Sequence, residues 1–302
     1  MQIIDFHSHF FCREFFDALV AQSPLPGNDL LRLTELSERT GIEIPEPDLE
    51  AHTARWIAEM DAKGLDHLVT FASLPEETAA VAEAARMSKG RMSAIALVNP
   101  KAPDAPKKVR KLLEDFGFKG VLIFPAMHHY QIDGPEARAV YGVLAEFKAP
   151  VYVHCGLLVV TLRDLLGIRR TQDINYANPL RIVPAANDFP DVPFVIPHFG
   201  AGFFRETLMA GSQCANVYTD SSSTNSWTRT QPAKISLRDV FEHALDVFGP
   251  ARILFGTDSN VFPAGWRADR RAEQRELLYA LEVPETEQQQ IFAGNASRLL
   301  QL

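Results

Sequence analysis

Eight short runs of apolar, often β-branched residues recur along the chain from Ile3 onward, and longer amphipathic stretches separate them. That alternation is what repeated βα units around a parallel sheet require, because strands covered on both faces read as near-continuous hydrophobic segments. The runs are Ile3–His9, His67–Ser73, Ser93–Asn99, Gly120–Phe124, Val151–Cys155, Phe194–His198, Val217–Asp220 and Ile253–Thr257. Between them Leu49–Lys63, Glu76–Lys89, Pro135–Phe147 and Leu237–Phe248 each carry apolar residues on one side of a 3.6-residue period, as the helices of an outer ring would. Gly90, Gly117 and Gly249 stand where such helices must end and the chain turn back, and Glu287–Leu302 reads as terminal helix. The pattern predicts an α/β fold, a (β/α)8 TIM barrel formed as one domain over residues 1–302.

Two connections are longer than the barrel needs: Phe10–Asp48, rich in Pro and Gly, and Gly156–Asn178. Both follow strands whose ends carry histidine. They are expected to overhang the C-terminal mouth as lids or binding elements.

A net charge of −8 argues against a broad nucleic-acid or anionic-membrane surface, since such partners reward clustered Lys and Arg; a local basic pocket for an acidic small molecule stays open. The opening MQIIDFHSHFF is interrupted by Asp5, His7 and His9, so it fits neither a secretory signal nor a membrane span, and a cytoplasmic protein is expected. Cys12, Cys155 and Cys214 are isolated and lack CxxC spacing, which argues for buried thiols over a disulfide framework or a thiolate zinc site. Strand alternation sends Cys155 to the face opposite His154, so no cysteine nucleophile is expected.

His7 and His9 lie two residues apart at the end of the first strand, on one face, with Cα atoms roughly 6.5 Å apart. Two imidazoles so placed can converge on one ion at about 2.0–2.1 Å from each nitrogen. Taken alone, the pair reads equally well as polar rim residues. Three further strands end in groups suited to metal binding or proton transfer: His154 in VYVHCG, His198 in FVIPHFG and Asp258 in ILFGTD. In a barrel these ends meet at one mouth. Neutral imidazoles with a carboxylate form a borderline donor set that suits one divalent ion, zinc (Zn2+) first and manganese (Mn2+), iron (Fe2+) or cobalt (Co2+) after it.

These residues resemble those of the amidohydrolase superfamily, in the branch that contains aminocarboxymuconate-semialdehyde decarboxylase and related metal-dependent hydrolases. The likeness spans essentially the whole chain, through DFHSH at Asp5–His9, GFKGV at Gly117–Val121, VHCG at Val153–Gly156, HFGA at His198–Ala201, FGTDSN at Phe255–Asn260 and GNASRLL at Gly294–Leu300. It implies a mononuclear site with His7, His9, His154 and Asp258 as metal ligands and His198 as a catalytic or positioning residue. Asp258 would combine ligation with proton shuttling. No lysine follows the fourth strand, where dinuclear members carry a bridging one, and Phe124 precedes Pro125 where many relatives have histidine. The resemblance also carries the expectation of a homodimer.

The simplest chemistry for this set is hydrolysis of a small amide, lactone or ester-like substrate by an activated water. The alternative is non-oxidative decarboxylation of a small unsaturated or aromatic carboxylic acid, which would also need a cation for the substrate carboxylate. Arg163, Arg169, Arg170, Arg229 and Arg267 lie in segments that reach the mouth, and the sequence does not choose among them. A barrel that kept the fold as a binding protein is a third reading, disfavoured because all five expected residues are present. His128 and His129 are read as loop residues, and His52, His67 and His243 as structural. HFGAGFF lacks the third glycine of a dinucleotide fingerprint. Trp227 and Trp266 are read as packing or pocket residues, and Asp220–Ser226 (DSSSTNS) as a turn or a source of donors to substrate oxygens.

Overall fold

The computed structural model describes residues 1–223 and 226–302; Thr224 and Asn225 of the Ser-rich run lie outside the described residues. Its strands are β1 (Ile4–His9), β2 (His67–Ala72), β3 (Met92–Leu97), β4 (Gly120–Ile123), β5 (Val151–Val153), β6 (Phe194–Ile196), β7 (Val217–Asp220) and β8 (Ile253–Leu254). They pair in parallel in chain order. Backbone N–H groups of Phe6 and His9 donate to Phe255 O (2.9 Å) and Ser259 O (2.7 Å), and Asp258 N donates to His7 O (2.9 Å), which brings β8 back to β1 and closes the barrel. Helices such as Leu49–Lys63, Pro135–Phe147 and Leu237–Phe248 occupy the residues their periodicity predicts, while the second expected helix begins as a short 3-10 turn before Thr78–Met87.

Side chains divide between two layers. Phe6, Phe71, Ile95, Leu122 and Tyr152 fill the barrel interior, where Ala296 and Leu300 of the C-terminal helix plug the end opposite the mouth. Leu68, Ala94, Val121 and Val153 face outward onto Trp56, Val109 and Tyr141 of the surrounding helices. Cys155 belongs to that outer layer, as alternation predicts. Gly90, Gly117 and Gly249 adopt φ of +88°, +71° and +62°, the positive values their positions predict.

Three local departures from the regular pattern shape the mouth. First, β1 shifts register against β2 between Asp5 and Ser8. Such a bulge re-aims the chain by one residue. Ile4 and Phe6 therefore point into the interior, and so do His7 and His9 beyond the bulge. Secondly, β5, β6 and β8 end two residues or more before the positions expected; at β6 and β8 side-chain carboxylates replace the ladder, as His198 N donates to Asp220 Oδ1 (3.0 Å) and Thr257 N to Asp5 Oδ1 (3.2 Å). Thirdly, the Phe10–Asp48 connection is largely helical, with α1 (Arg13–Ala21) and α2 (Asp29–Thr40). Phe15, Phe16, Leu19 and Val20 of α1 pack with Leu33 and Leu36 of α2 and with Leu166 from the Gly156–Asn178 connection, giving a third apolar cluster over the mouth.

Gly156 joins β5 to that second connection at φ +77°, and a Cβ there would lie 2.3 Å from Gly200 O and 2.4 Å from Ala201 O. Both obstacles are backbone and cannot swing aside. Gly156→Ala is expected to lose about 3 kcal/mol or more of stability through the left-handed backbone and the clash together, read as a lowered denaturant midpoint. A shift under about 0.5 kcal/mol would mean that the two loops are free to separate.

Candidate metal centre

His7 is fixed from behind. Its Nδ1 lies 2.7 Å from Asp220 Oδ2, and the other oxygen of Asp220 accepts from His198 N (3.0 Å), Ser222 N (2.9 Å) and Ser222 Oγ (2.5 Å). Burial works to raise the Asp220 carboxyl, but His7 and these donors hold it well below the usual carboxylate range. An ionised carboxylate only accepts, so His7 carries its proton on Nδ1 and presents a bare Nε2 to the mouth. Burial lowers the His7 pKa, which keeps the ring in this neutral form.

His9 is fixed in a similar way by Ser73 Oγ, 2.8 Å from its Nδ1. The turn that carries Ser73 is held by the buried Glu77, which accepts from the backbone N–H groups of Ser73 and Leu74; burial pushes this carboxyl up to about 8. Asp258 sits opposite at φ +59°, a left-handed backbone rarely taken by residues other than glycine. Its Oδ1 lies 3.3 Å from His9 Nε2 and 3.7 Å from His7 Nε2. Burial opposes its ionisation, yet His9 beside it and the other surrounding histidines hold Asp258 well below its ordinary value.

The ligand atoms of His7, His9 and Asp258 all lie within 4.8 Å of one another. Two donors each about 2.1 Å from one ion sit roughly 3.0–3.5 Å apart, so this trio fits a single divalent cation. His154 lines the same cavity but stands outside the trio, its ring 5.4 Å from that of His198 and 4.9 Å from that of Phe124. Burial, reinforced by His198 and His7, lowers His154 to about 3 and so keeps it an uncharged potential donor. The structure thus brings three of the four expected ligands to ligand spacing and places the fourth in the same cavity. A second close group, His7, His198 and Asp220, is the anchoring network just described, in which Asp220 already accepts from His7, His198 and Ser222.

His198 reaches the mouth by an unexpected route. Alternation through Phe194 and Ile196, which both face outward, would send its side chain outward as well. Instead β6 ends at Ile196, and His198 (φ +58°) and Phe199 (φ +49°) turn left-handed, which swings the imidazole into the cavity, 4.6 Å from the ring of His7. Its Nδ1 lies 2.8 Å from Ser222 Oγ and 3.1 Å from Ser222 O. Ser222 Oγ donates to Asp220, so towards His198 it accepts; Nδ1 bears the proton and Nε2 is bare.

Behind the site, Asp5 accepts from His7 N (3.0 Å), Thr257 N (3.2 Å), Thr257 Oγ1 (2.5 Å) and Trp266 Nε1 (2.7 Å), tying the ends of β1 and β8 together. Burial pushes Asp5 up to about 7 against these four bonds. Trp266 is therefore a packing and anchoring residue, and Trp227 is buried in the outer core. His129 bonds Thr171 O (2.7 Å), His52 bonds Phe10 O (3.0 Å), and His67 bonds Gly90 O and Ser93 Oγ (both 3.0 Å). The roles of Asp220, Ser222, Ser73 and Asp5 in fixing the histidines are not read from the sequence, although Asp220, like Asp258, is a carboxylate at a strand end.

The amidohydrolase sequence profile matches residues 4–302. The chain belongs to the amidohydrolase family. No protein of curated function matches the sequence. Among solved structures, this amidohydrolase is similar to 5-carboxyvanillate decarboxylase from Sphingomonas paucimobilis, at 14% identity and TM-score 0.68, covering 100% of this chain and 99% of that one. It is also similar to a 5-carboxyvanillate decarboxylase from Novosphingobium aromaticivorans complexed with manganese and 4-hydroxy-3-methoxy-5-nitrobenzoic acid (16%, TM-score 0.67, 100% and 96% covered). A third is a probable 2-pyrone-4,6-dicarboxylic acid hydrolase from Acinetobacter baumannii with citric acid bound (14%, TM-score 0.66, 100% of both chains). At these identities the likeness shows the barrel fold. Among the described residues, no helix of this amidohydrolase is long and apolar enough to cross a membrane.

Proposed function

We propose that this chain is a metal-dependent hydrolase of a small amide, lactone or ester-like substrate with an apolar body. His7, His9 and Asp258 would hold one divalent ion, with His154 completing the set. When bound, such an ion supplies Lewis acidity to a substrate carbonyl and raises the acidity of water beside it. Zinc suits the donors, and manganese, present in several structural neighbours, suits them as well.

The observation that carries the reading is the way Ser222 holds His198. With Nδ1 bound at Ser222, its bare Nε2 is a general base as it stands, able to accept the proton of a water and then return it to the leaving group. The cavity around it, about 400 Å3, is walled beside the histidines by Phe71, Leu122, Phe124 and Met127, which shield the reacting bond from bulk water.

That same apolar wall favours a second reading, non-oxidative decarboxylation. Moving a carboxylate out of water raises its energy, and loss of neutral carbon dioxide disperses the charge. The decarboxylases among the structural neighbours support this alternative. One panel separates the two: metal-loaded protein is offered lactones, esters and amides beside aromatic and unsaturated acids, in water enriched in heavy oxygen. Heavy oxygen in a product carboxylate is the expected result. Release of carbon dioxide with proton gain at carbon would overturn hydrolysis in favour of the second reading.

A further inference from the structure

Outward from the histidines the cavity runs into a sleeve built by the two long connections. Phe11, Phe15 and Leu19 contribute one side, Val160 and Leu162 the other. Arg163 is the one lysine or arginine among the described residues that line this cavity. Of the other arginines that reach the mouth in sequence, Arg170 is paired with Asp164 and Arg267 with Asp269. Arg169 and Arg229 do not line the cavity.

The surroundings of Arg163 are those of a cation awaiting a partner. Its Nη1 donates to Gln22 Oε1 of the segment after α1 at 3.2 Å, a neutral acceptor. Among the described residues no carboxylate pairs with this guanidinium. A guanidinium whose partner is a neutral amide oxygen gains more from a carboxylate, because a charge-assisted bond is about twice as strong as a neutral one. Apart from Arg163, the histidines and Asp258, the lining is apolar except for Ser73, Thr161 and Asn260.

We propose that Arg163 binds a carboxylate at the end of the substrate remote from the reacting bond, so that this site selects elongated apolar acids. The inference rests on the hydrolytic reading only for which end reacts: hydrolysis there leaves a second carboxylate at the histidines, and the product is a dicarboxylate with an apolar middle. Alkanedioates are thus product mimics, and alkanoates of matched length lack only the group that Arg163 would bind.

Calorimetric titration of the metal-loaded wild type with the series adipate to dodecanedioate, against hexanoate to dodecanoate, tests this. The best-fitting dicarboxylate is expected to bind at least about tenfold more tightly than its matched monocarboxylate. Arg163→Met, which keeps the apolar stem, should bring that ratio to about one and leave the monocarboxylate unchanged, and Arg163→Lys should restore part of it. Thermal unfolding confirms that each variant is folded. A ratio near one in the wild type, the same ratio in Arg163→Met, or no binding of either series to folded, metal-loaded protein overturns the proposal. Failure of the metal reading looks different: monocarboxylate binding would then survive chelation, whatever the ratio.

Discussion

His198→Ala is expected to lower turnover by about 10²–10⁴-fold, the range for loss of a positioned general base, while leaving metal content at the wild-type level. Both halves follow from the geometry. The imidazole is oriented by Ser222 at Nδ1 and lines the cavity with Nε2 unprotonated, yet it is not part of the close His7, His9 and Asp258 trio. Its removal takes away the proton acceptor and keeps the donors. Turnover within a few-fold of wild type would show that the base is elsewhere; metal lost together with activity would make His198 a ligand. Elemental analysis beside initial rates on the best substrate of the panel distinguishes these outcomes.

Asp220→Asn is expected to weaken metal binding by roughly 10–100-fold, the usual effect of removing the partner that orients a ligating histidine. The argument is one of hydrogen count. Three donors converge on Asp220 Oδ1 and one, His7 Nδ1, on Oδ2. An asparagine keeps its oxygen where the three donors meet and turns its NH2 towards His7. That ring must then shed its Nδ1 proton to accept, and the proton moves to Nε2, the nitrogen that faces Asp258 and would bind the ion. Competition with a chromophoric chelator measures the loss, and circular dichroism checks that the variant is folded. Unchanged affinity would mean that His7 is held by its packing against Phe71 and Tyr152 rather than by the carboxylate.

How far the sequence reveals this site depends on which contacts are regular. Strand ends meet at one mouth whatever the loops do, so the apolar runs lead correctly to the barrel and bring His7, His9, His154, His198 and Asp258 into one cavity. The side-chain directions are less regular. The bulge in β1 and the left-handed backbone at His198 and Asp258 are set by tertiary bonds to Asp220, Asp5 and His7, and strand alternation does not encode them. The helices α1 and α2 are hidden for another reason. Their apolar pairs, Phe15 with Leu19 and Leu33 with Leu36, are recognisable at helical spacing, but Pro24, Pro26 and Gly27 between them read as loop. Arg163 could not be separated from its four rivals because its distinguishing property, a guanidinium in the wall of a mostly apolar sleeve, exists only once two distant connections pack together.

The most direct test is the metal content of the purified chain, measured by elemental analysis after reconstitution, for the wild type, His7→Ala and Asp258→Ala. About one equivalent of a divalent transition metal per wild-type chain, lost in both variants while they remain folded, is the predicted result. A wild type that retains no metal, or variants that bind it as the wild type does, would contradict a metal centre built on His7, His9 and Asp258.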